Sequence, residues 1–255
     1  MTEATGYLRL SDKGRARTIN IDRPAARNAL NPAMRLELAD WLREADQDPD
    51  VGVVILTGTD PVFSAGVDFK QVEVDMDRYR KQFLANPGRA LRAMRTPTIA
   101  AVNGACVSGA LEIALSCSFI VASEHARFAD THAWLGEVAT WGLTALLPRA
   151  VGIRKAREMS ITGNFVPVDE ALRLGLVNHV VPHEELLPFV HRLAGEIAAT
   201  PAVPEILALY ERGEDLGLSA ALSAETAYVT GRHFDRDGFP QLGAETAARQ
   251  RGTSP

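Results

Sequence analysis

The sequence contains few cysteines and no cluster of basic residues. Only two cysteines, Cys106 and Cys117, occur in 255 residues. This excludes a disulfide scaffold, and we expect buried thiols in a reducing compartment, the cytoplasm. Lys and Arg number 27 against 32 Asp and Glu, a net charge of −5, and no basic patch indicates nucleic-acid binding. The 46% of hydrophobic and 23% of charged residues are typical of a globular protein and exclude a disordered chain.

The sequence also shows no pattern of a secretory or membrane segment. Residues 1–10 have no apolar run, so we expect no signal peptide. The stretch 96–123 contains a single charge, Glu112, and is long enough to resemble a membrane span. Its Pro97, Gly104 and Gly109 instead favour a buried strand, turn and helix. We therefore expect no association with a membrane.

The hydrophobic pattern predicts a mixed α/β protein. Short apolar or alternating runs predict strands at 7–10, 17–21, 51–56, 98–102 and 119–122. Helical periodicity follows Asn31-Pro32 and Gly109, and it recurs at 78–94, 152–160, 183–199, 203–210 and 218–230. The chain after Pro148 is thus predicted to be mainly helical. We expect a core at 1–200 and a C-terminal helical region at 201–255.

Two common functional motifs are incomplete in this sequence. Gly104 and Gly109 have the glycine spacing of a P-loop, but Ala110 stands where that motif needs Lys. His179 and His183 are four residues apart, but a proline separates them, which argues against a helical pair of metal ligands. We expect no bound metal.

Glu112 is the clearest chemical signal in the sequence. It is the only charged side chain between Arg95 and Glu124, and burial of a carboxylate is costly unless it is paired or protonated. Its pKa should therefore be raised, as a general acid or base near neutral pH requires. The alternative is a structural Glu that accepts hydrogen bonds from the backbone.

Small-residue loops follow two of the predicted strands. Gly109 lies at a turn into a helix, where backbone N–H groups are free and can hold a developing oxyanion. Residues 63–70 contain Ala65 and Gly66, which allow close approach of the backbone to a ligand. Each loop alone has an equally simple interpretation as a tight turn.

Taken together, these segments resemble the enoyl-CoA hydratase/isomerase, or crotonase, family. The resemblance covers about residues 6–200, in order and at compatible spacings. The matching segments are DRP at 22–24 with RNALN at 27–31, FSAGVDFK at 63–70, IAAVNG at 99–104 with Gly109 and Glu112, and ALRLGLVN with VVP at 171–182.

The resemblance implies an α/β fold, a crotonase-like spiral of ββα repeats with a helical C-terminal trimerisation region. It implies a homotrimer or hexamer that acts on an acyl-CoA thioester without a further cofactor. The thioester oxygen would lie between the backbone N–H groups of Val67 and Gly109. The residues expected to bind CoA are Arg27, Ala65, Gly66 and Asp68.

Hydratases of this family place two glutamates on the attacking water, and this chain matches only the first of them, Glu112. The second position is occupied by His132. The imidazole either shares the water with Glu112 or only packs at the pocket wall. Glu137 is close in sequence and is an alternative partner. Ser118 stands where the family usually has Asp, at a position that we interpret as structural.

Hydration of a 2-enoyl-CoA is the leading activity implied by the resemblance. Isomerisation of an enoyl double bond is the alternative, because it needs only one proton shuttle. A non-catalytic acyl-CoA-binding homologue is a third possibility, in which His132 marks lost chemistry. The length of the acyl chain stays open, because residues 69–84 show no recognisable pattern.

Overall fold

The computed structural model describes residues 5–71 and 86–231. The strands in these residues are β1 (Leu8–Lys13), β2 (Ala16–Ile21), β3 (Val53–Gly58), β4 (Val62–Ser64), β5 (Thr98–Val102), β6 (Ala105–Val107), β7 (Phe119–Ser123), β8 (Arg127–Ala129), β9 (Val166–Pro167) and β10 (His179–Val181). The α-helices are α1 (Pro32–Gln47), α2 (Pro87–Arg92), α3 (Gly109–Leu115), α4 (Leu143–Val151), α5 (Ile153–Thr162), α6 (Val168–Leu174), α7 (Leu186–Glu196), α8 (Ala202–Glu214) and α9 (Leu218–Gly231).

The strands form two sheets. The larger sheet has the order β1-β2-β3-β5-β7-β10, and the smaller has the order β4-β6-β8-β9. In the larger sheet β1 and β2 form an antiparallel hairpin, and the other neighbours are parallel. The chain passes from the larger to the smaller sheet three times, in the pairs β3–β4, β5–β6 and β7–β8. Helical segments follow each pair, which confirms the expected ββα units.

Burial explains why the central strands were predictable. Every residue of β3 and of β5 is buried, because parallel strands in the middle of a sheet are covered on both faces. Continuous apolar runs are the result. α3 is also buried from Gly109 to Ala114, which accounts for the absence of charge around Glu112.

The described chain after Pro148 is mainly helical, as expected, but it also contains two short strands that the pattern did not predict. β9 has 2 residues and β10 has 3, too few to produce a recognisable alternation. The predicted helix at 78–94 lies partly outside the described residues, and the structure shows its last part as α2.

Contacts divide the chain into a unit that ends at Glu205 and a second unit that begins at Ile206. The described part of the second unit contains most of α8 and all of α9. Several of its large apolar side chains are exposed, among them Leu218 (78% accessible) and Tyr210 (74% accessible). Among the described residues, no helix combines the length and the apolar character needed to cross a membrane.

Asn28 fixes the segment between β2 and α1. The backbone here is left-handed, with φ of 53° at Arg27 and 55° at Asn28, a conformation that Asn tolerates better than most residues. The side-chain amide of Asn28 donates to the carbonyls of Thr59 (2.7 Å) and Val62 (2.8 Å). It thereby joins this segment to the β3–β4 turn.

We expect Asn28→Ala to destabilise the protein by about 3 kcal/mol, because buried carbonyls lose their donor and Ala disfavours a positive φ. Urea unfolding measures the change. Asn164→Ala, at an exposed position, is the control and should change stability by less than about 0.5 kcal/mol. Equal stabilities for the two variants would contradict this role of Asn28.

Candidate active site

The loop after β4 presents an unpaired backbone N–H at Val67. Leu30 forms a parallel bridge with Val67, in which Leu30 N–H donates to Gly66 and the N–H of Asp68 donates to Leu30. Successive N–H groups of an extended chain point to opposite sides, so the N–H of Val67 points away from Leu30. Within the described residues it has no acceptor.

A second unpaired N–H lies close by, at Gly109. It is the first residue of α3, where no intrahelical acceptor exists, and it also has no acceptor within the part of the chain that the structure describes. A Cβ on Gly109 would lie 3.4 Å from the nitrogen of Val67, and one on Gly66 would lie 2.9 Å from the nitrogen of Gly109. Glycine at both positions therefore lets the two loops meet backbone to backbone.

Ser108 orients the second donor. Its φ of 50° and ψ of −111° are unfavourable for a residue with a side chain, and such strain is often found at functional sites. The Ser108 N–H donates to Ala129, and its hydroxyl accepts from the N–H of Thr131 at 2.9 Å. These bonds hold the strained conformation in place.

Glu112 lies one turn along α3 from Gly109 and is 1% exposed. Its Oε1 accepts hydrogen bonds from the N–H groups of Trp141 (2.6 Å) and Leu143 (3.1 Å). Its Oε2 lies 3.9 Å from Nε2 of His132. One carboxylate oxygen is thus fixed by the backbone and the other faces the imidazole.

His132 is buried at the start of a short 3₁₀ helix, His132–Leu135. Its Nδ1 donates to Oδ1 of Asp130 at 2.6 Å. Asp130 is 3% exposed, and its carboxylate also accepts from the backbone N–H of His132. The side chains of Asp130, His132 and Glu112 therefore form a row.

The environment shifts the pKa values of these three groups. Burial raises the pKa of Glu112, although the two backbone donors oppose it. Burial alone would lower the pKa of His132, but its hydrogen bond to Asp130 and the nearby charges of Asp130 and Glu112 raise it. Burial would raise the pKa of Asp130, but hydrogen bonds from His132 and Ser160 lower it. The raised pKa values of Glu112 and His132 suit the exchange of protons, while Asp130 stays ionised.

The residues expected to bind CoA lie around the Val67 loop. Arg27 is exposed, and its carbonyl accepts from the N–H of Ala65 at 2.9 Å. The carboxylate of Asp68 forms an ion pair with Arg23 at 2.7 Å, with both side chains largely covered. Asp68 is therefore occupied within the protein and holds the loop that carries Val67.

The two remaining candidates lie outside the row of acidic and basic side chains. Glu137 is exposed, and its N–H donates to the carbonyl of His132. Ser118 exchanges backbone and hydroxyl hydrogen bonds with Thr98 and joins the end of α3 to the start of β5, as a structural residue does.

Sequence reasoning missed several residues of the site, among them Asp130 and Trp141. Asp130 had a usable signal, since it lies two residues before His132 in a loop after a strand. Trp141 had none: its backbone N–H holds Glu112, and its ring carbon Cζ3 would lie 3.2 Å from a Cβ on Gly109. Both contacts depend on the tertiary fold.

The chain is similar to known proteins of one family. The profile of the enoyl-CoA hydratase/isomerase family matches residues 13–230. A probable peroxisomal enoyl-CoA hydratase of Arabidopsis thaliana is 36% identical over 226 residues, covering 86% of this chain and 85% of that protein. A crotonyl-CoA hydratase of Syntrophomonas wolfei is 40% identical, covering 69% of this chain and 70% of its own.

A solved structure supports the same assignment. The crystal structure of an enoyl-CoA hydratase from Mycobacterium tuberculosis superposes with a TM-score of 0.74 at 43% identity, covering 88% of this chain and 98% of that one. The family match spans most of the sequence, and the structural similarity covers 88% of the chain. The chain therefore belongs to the enoyl-CoA hydratase/isomerase family.

Proposed function

We propose that this protein hydrates a 2-enoyl-CoA thioester. The observation that carries the proposal is the pair of unpaired backbone N–H groups, Val67 and Gly109, beside a buried Glu112 whose free oxygen faces His132. The pair suits a thioester oxygen that gains negative charge, and the side chains suit transfer of two protons. The activity of the similar proteins supports the same reaction.

The two N–H groups stabilise the enolate. When water adds to C3 of the enoyl group, electrons move through C2 and C1 onto the thioester oxygen. Donors that are already oriented stabilise this charge without reorganisation. The positive end of the α3 dipole at Gly109 adds to the effect.

Glu112 and His132 handle the protons. The Glu112 carboxylate takes a proton from water as the oxygen bonds to C3, and the His132 imidazolium gives a proton to C2. The site then holds a protonated Glu112 and a neutral His132. Transfer of one proton across the 3.9 Å between Oε2 and Nε2, directly or through water, restores the starting state.

The remaining parts of the proposal concern the substrate and the assembly. Exposed Arg27 suits the CoA phosphates, while the backbone at Ala65 and Gly66 allows close approach of the nucleotide. Asp68 serves this loop through Arg23. The protons come from water and side chains, so no metal or further cofactor takes part.

We also propose a homotrimer or hexamer in the cytoplasm. The exposed apolar side chains of α8 and α9, including Tyr210 and Leu218, support assembly, since large apolar surfaces are usually covered. The free thiols of Cys106 and Cys117 support a reducing compartment.

The ultraviolet absorbance of the conjugated enoyl thioester tests the reaction. We expect the wild-type protein to lower it with 2-enoyl-CoA, because hydration removes the conjugation. Glu112→Gln should cut the rate by about 10²–10⁴ while CoA-ester binding persists, since a general acid or base is lost. A rise in absorbance with 3-enoyl-CoA would identify an isomerase, and binding without any change would identify a binder.

Gly109→Pro removes one oxyanion donor. We expect kcat to fall by about 10²–10³, the usual effect of such a loss. Gly109→Ala is the matched control, because it keeps the N–H but places a Cβ against the same Trp141 ring. Circular dichroism checks that both variants fold. A folded Pro variant as active as the Ala variant would exclude this donor.

The pH dependence of kcat reports on His132. Because its pKa is raised, His132 stays protonated at pH values above the ordinary pKa of ~6.5. The rate should therefore fall as the pH rises through the shifted pKa. His132→Glu should shift or remove this decline of the rate at high pH. His132→Ala should lower kcat more than it weakens binding. If His132→Ala matches the wild type at every pH, the imidazole is only part of the pocket wall.

A further inference from the structure

The loop that carries His132 is anchored on two sides. On one side Ser108, next to the oxyanion donor Gly109, accepts from the N–H of Thr131 and pairs with its hydroxyl at 2.9 Å. The N–H of Ser108 also donates to Ala129. The position of the imidazole is therefore tied to the position of the oxyanion donor.

The other side is the end of α5. The hydroxyl of Ser160 lies near the carboxylate of Asp130 and helps to lower its pKa. Two residues beyond His132, the ring of Trp134 lies against Gly163, where a Cβ would approach the ring to 2.7 Å. Helix α5 thus supports the loop before and after His132.

We propose that Asp130 is the positioning residue that fixes the orientation and tautomer of His132. This inference deepens the proposed hydration and rests on it for its catalytic meaning. Asp130 contacts the imidazole directly, and its charge also raises the pKa of Glu112 at longer range.

The geometry of Asp130 supports this role. A single oxygen, Oδ1, accepts from both the backbone N–H and the ring Nδ1 of His132, at 3.2 and 2.6 Å. A carboxylate can only accept, so Nδ1 must carry a hydrogen. In the neutral ring Nε2 is then the unprotonated nitrogen, and it is this nitrogen that faces Oε2 of Glu112. Only this tautomer can take up the proton of Glu112 after each turnover.

The charges around the imidazole come from three carboxylates. Asp130 contacts the ring, Glu112 lies 3.9 Å away on the opposite side, and exposed Glu137 acts at longer range. Helix α5 contributes the neutral Ser160 to the same group. Asp130 differs from Glu137 in its direct hydrogen bond, so the two residues can be separated experimentally.

Nuclear magnetic resonance of ¹⁵N-labelled histidine tests the inference independently of turnover. The His132 signals are those missing in His132→Gln. We expect the wild type to show the Nδ1–H tautomer and a raised pKa. In Asp130→Asn we expect a lower pKa of His132, because the charge of Asp130 is lost, and a mixture of tautomers, because the amide can also donate. Ser160→Ala should give a smaller shift in the same direction.

Glu137→Gln is the matched control, since it removes the same charge without a hydrogen bond to the ring. Activity assays should show that Asp130→Asn lowers kcat by about 10- to 100-fold with little change in KM, as expected for loss of an orienting partner, and that its alkaline limb moves to lower pH. Glu137→Gln should leave kcat and the alkaline limb of the pH profile nearly unchanged.

The inference fails if Asp130→Asn changes the tautomer and pKa of His132 no more than Glu137→Gln does. If Asp130→Asn changes the tautomer of His132 but the wild-type protein hydrates no enoyl-CoA, the proposed function is rejected and the structural role of Asp130 is kept. If Asp130→Asn does not fold, the wild-type spectrum decides, because the inference requires a hydrogen on Nδ1 of the neutral His132 ring. An Nε2–H tautomer in the wild type would contradict the inference.

Discussion

The two hydrogen bonds from the backbone to Oε1 of Glu112 connect the parts of this site. They run from the N–H groups of Trp141 and Leu143, on the loop that leads into α4. Glu112 itself lies on α3, one turn after Gly109. A carboxylate that was 1% exposed and unpaired would strongly favour the neutral form. The backbone donors moderate this preference, so that a buried Glu112 can both hold and release a proton.

The sequence contained clear signals where a residue of the site differs in type from its neighbours in the chain. A single charge in a stretch of buried strand and helix pointed to Glu112, and a glycine at the start of a helix pointed to Gly109. The buried strands β3 and β5 followed from their continuous apolar runs. In each case the local pattern and the tertiary environment favour the same structure.

Other parts could not be predicted, because they depend on contacts between distant segments. The N–H of Trp141 reaches a carboxylate 29 residues earlier in the chain. The free N–H of Val67 results from its pairing with Leu30, which no local pattern encodes, so that only the family resemblance pointed to this donor. Asp68 matched a binding loop in sequence, but an ion pair with Arg23 occupies it in the fold.

The presence of His132 in place of a second glutamate can be understood through the charge of the Asp130–His132 pair. A glutamate that donates a proton changes from neutral to −1. With Asp130 ionised, an imidazolium makes the pair neutral, and a neutral imidazole leaves the pair at −1. The pair therefore passes through the same charges as one glutamic acid. The lowered pKa of Asp130, which follows from hydrogen bonds from His132 and Ser160 that outweigh its burial, keeps that carboxylate ionised throughout. The enolate between Val67 and Gly109 then experiences the same change in charge that two glutamates would give it.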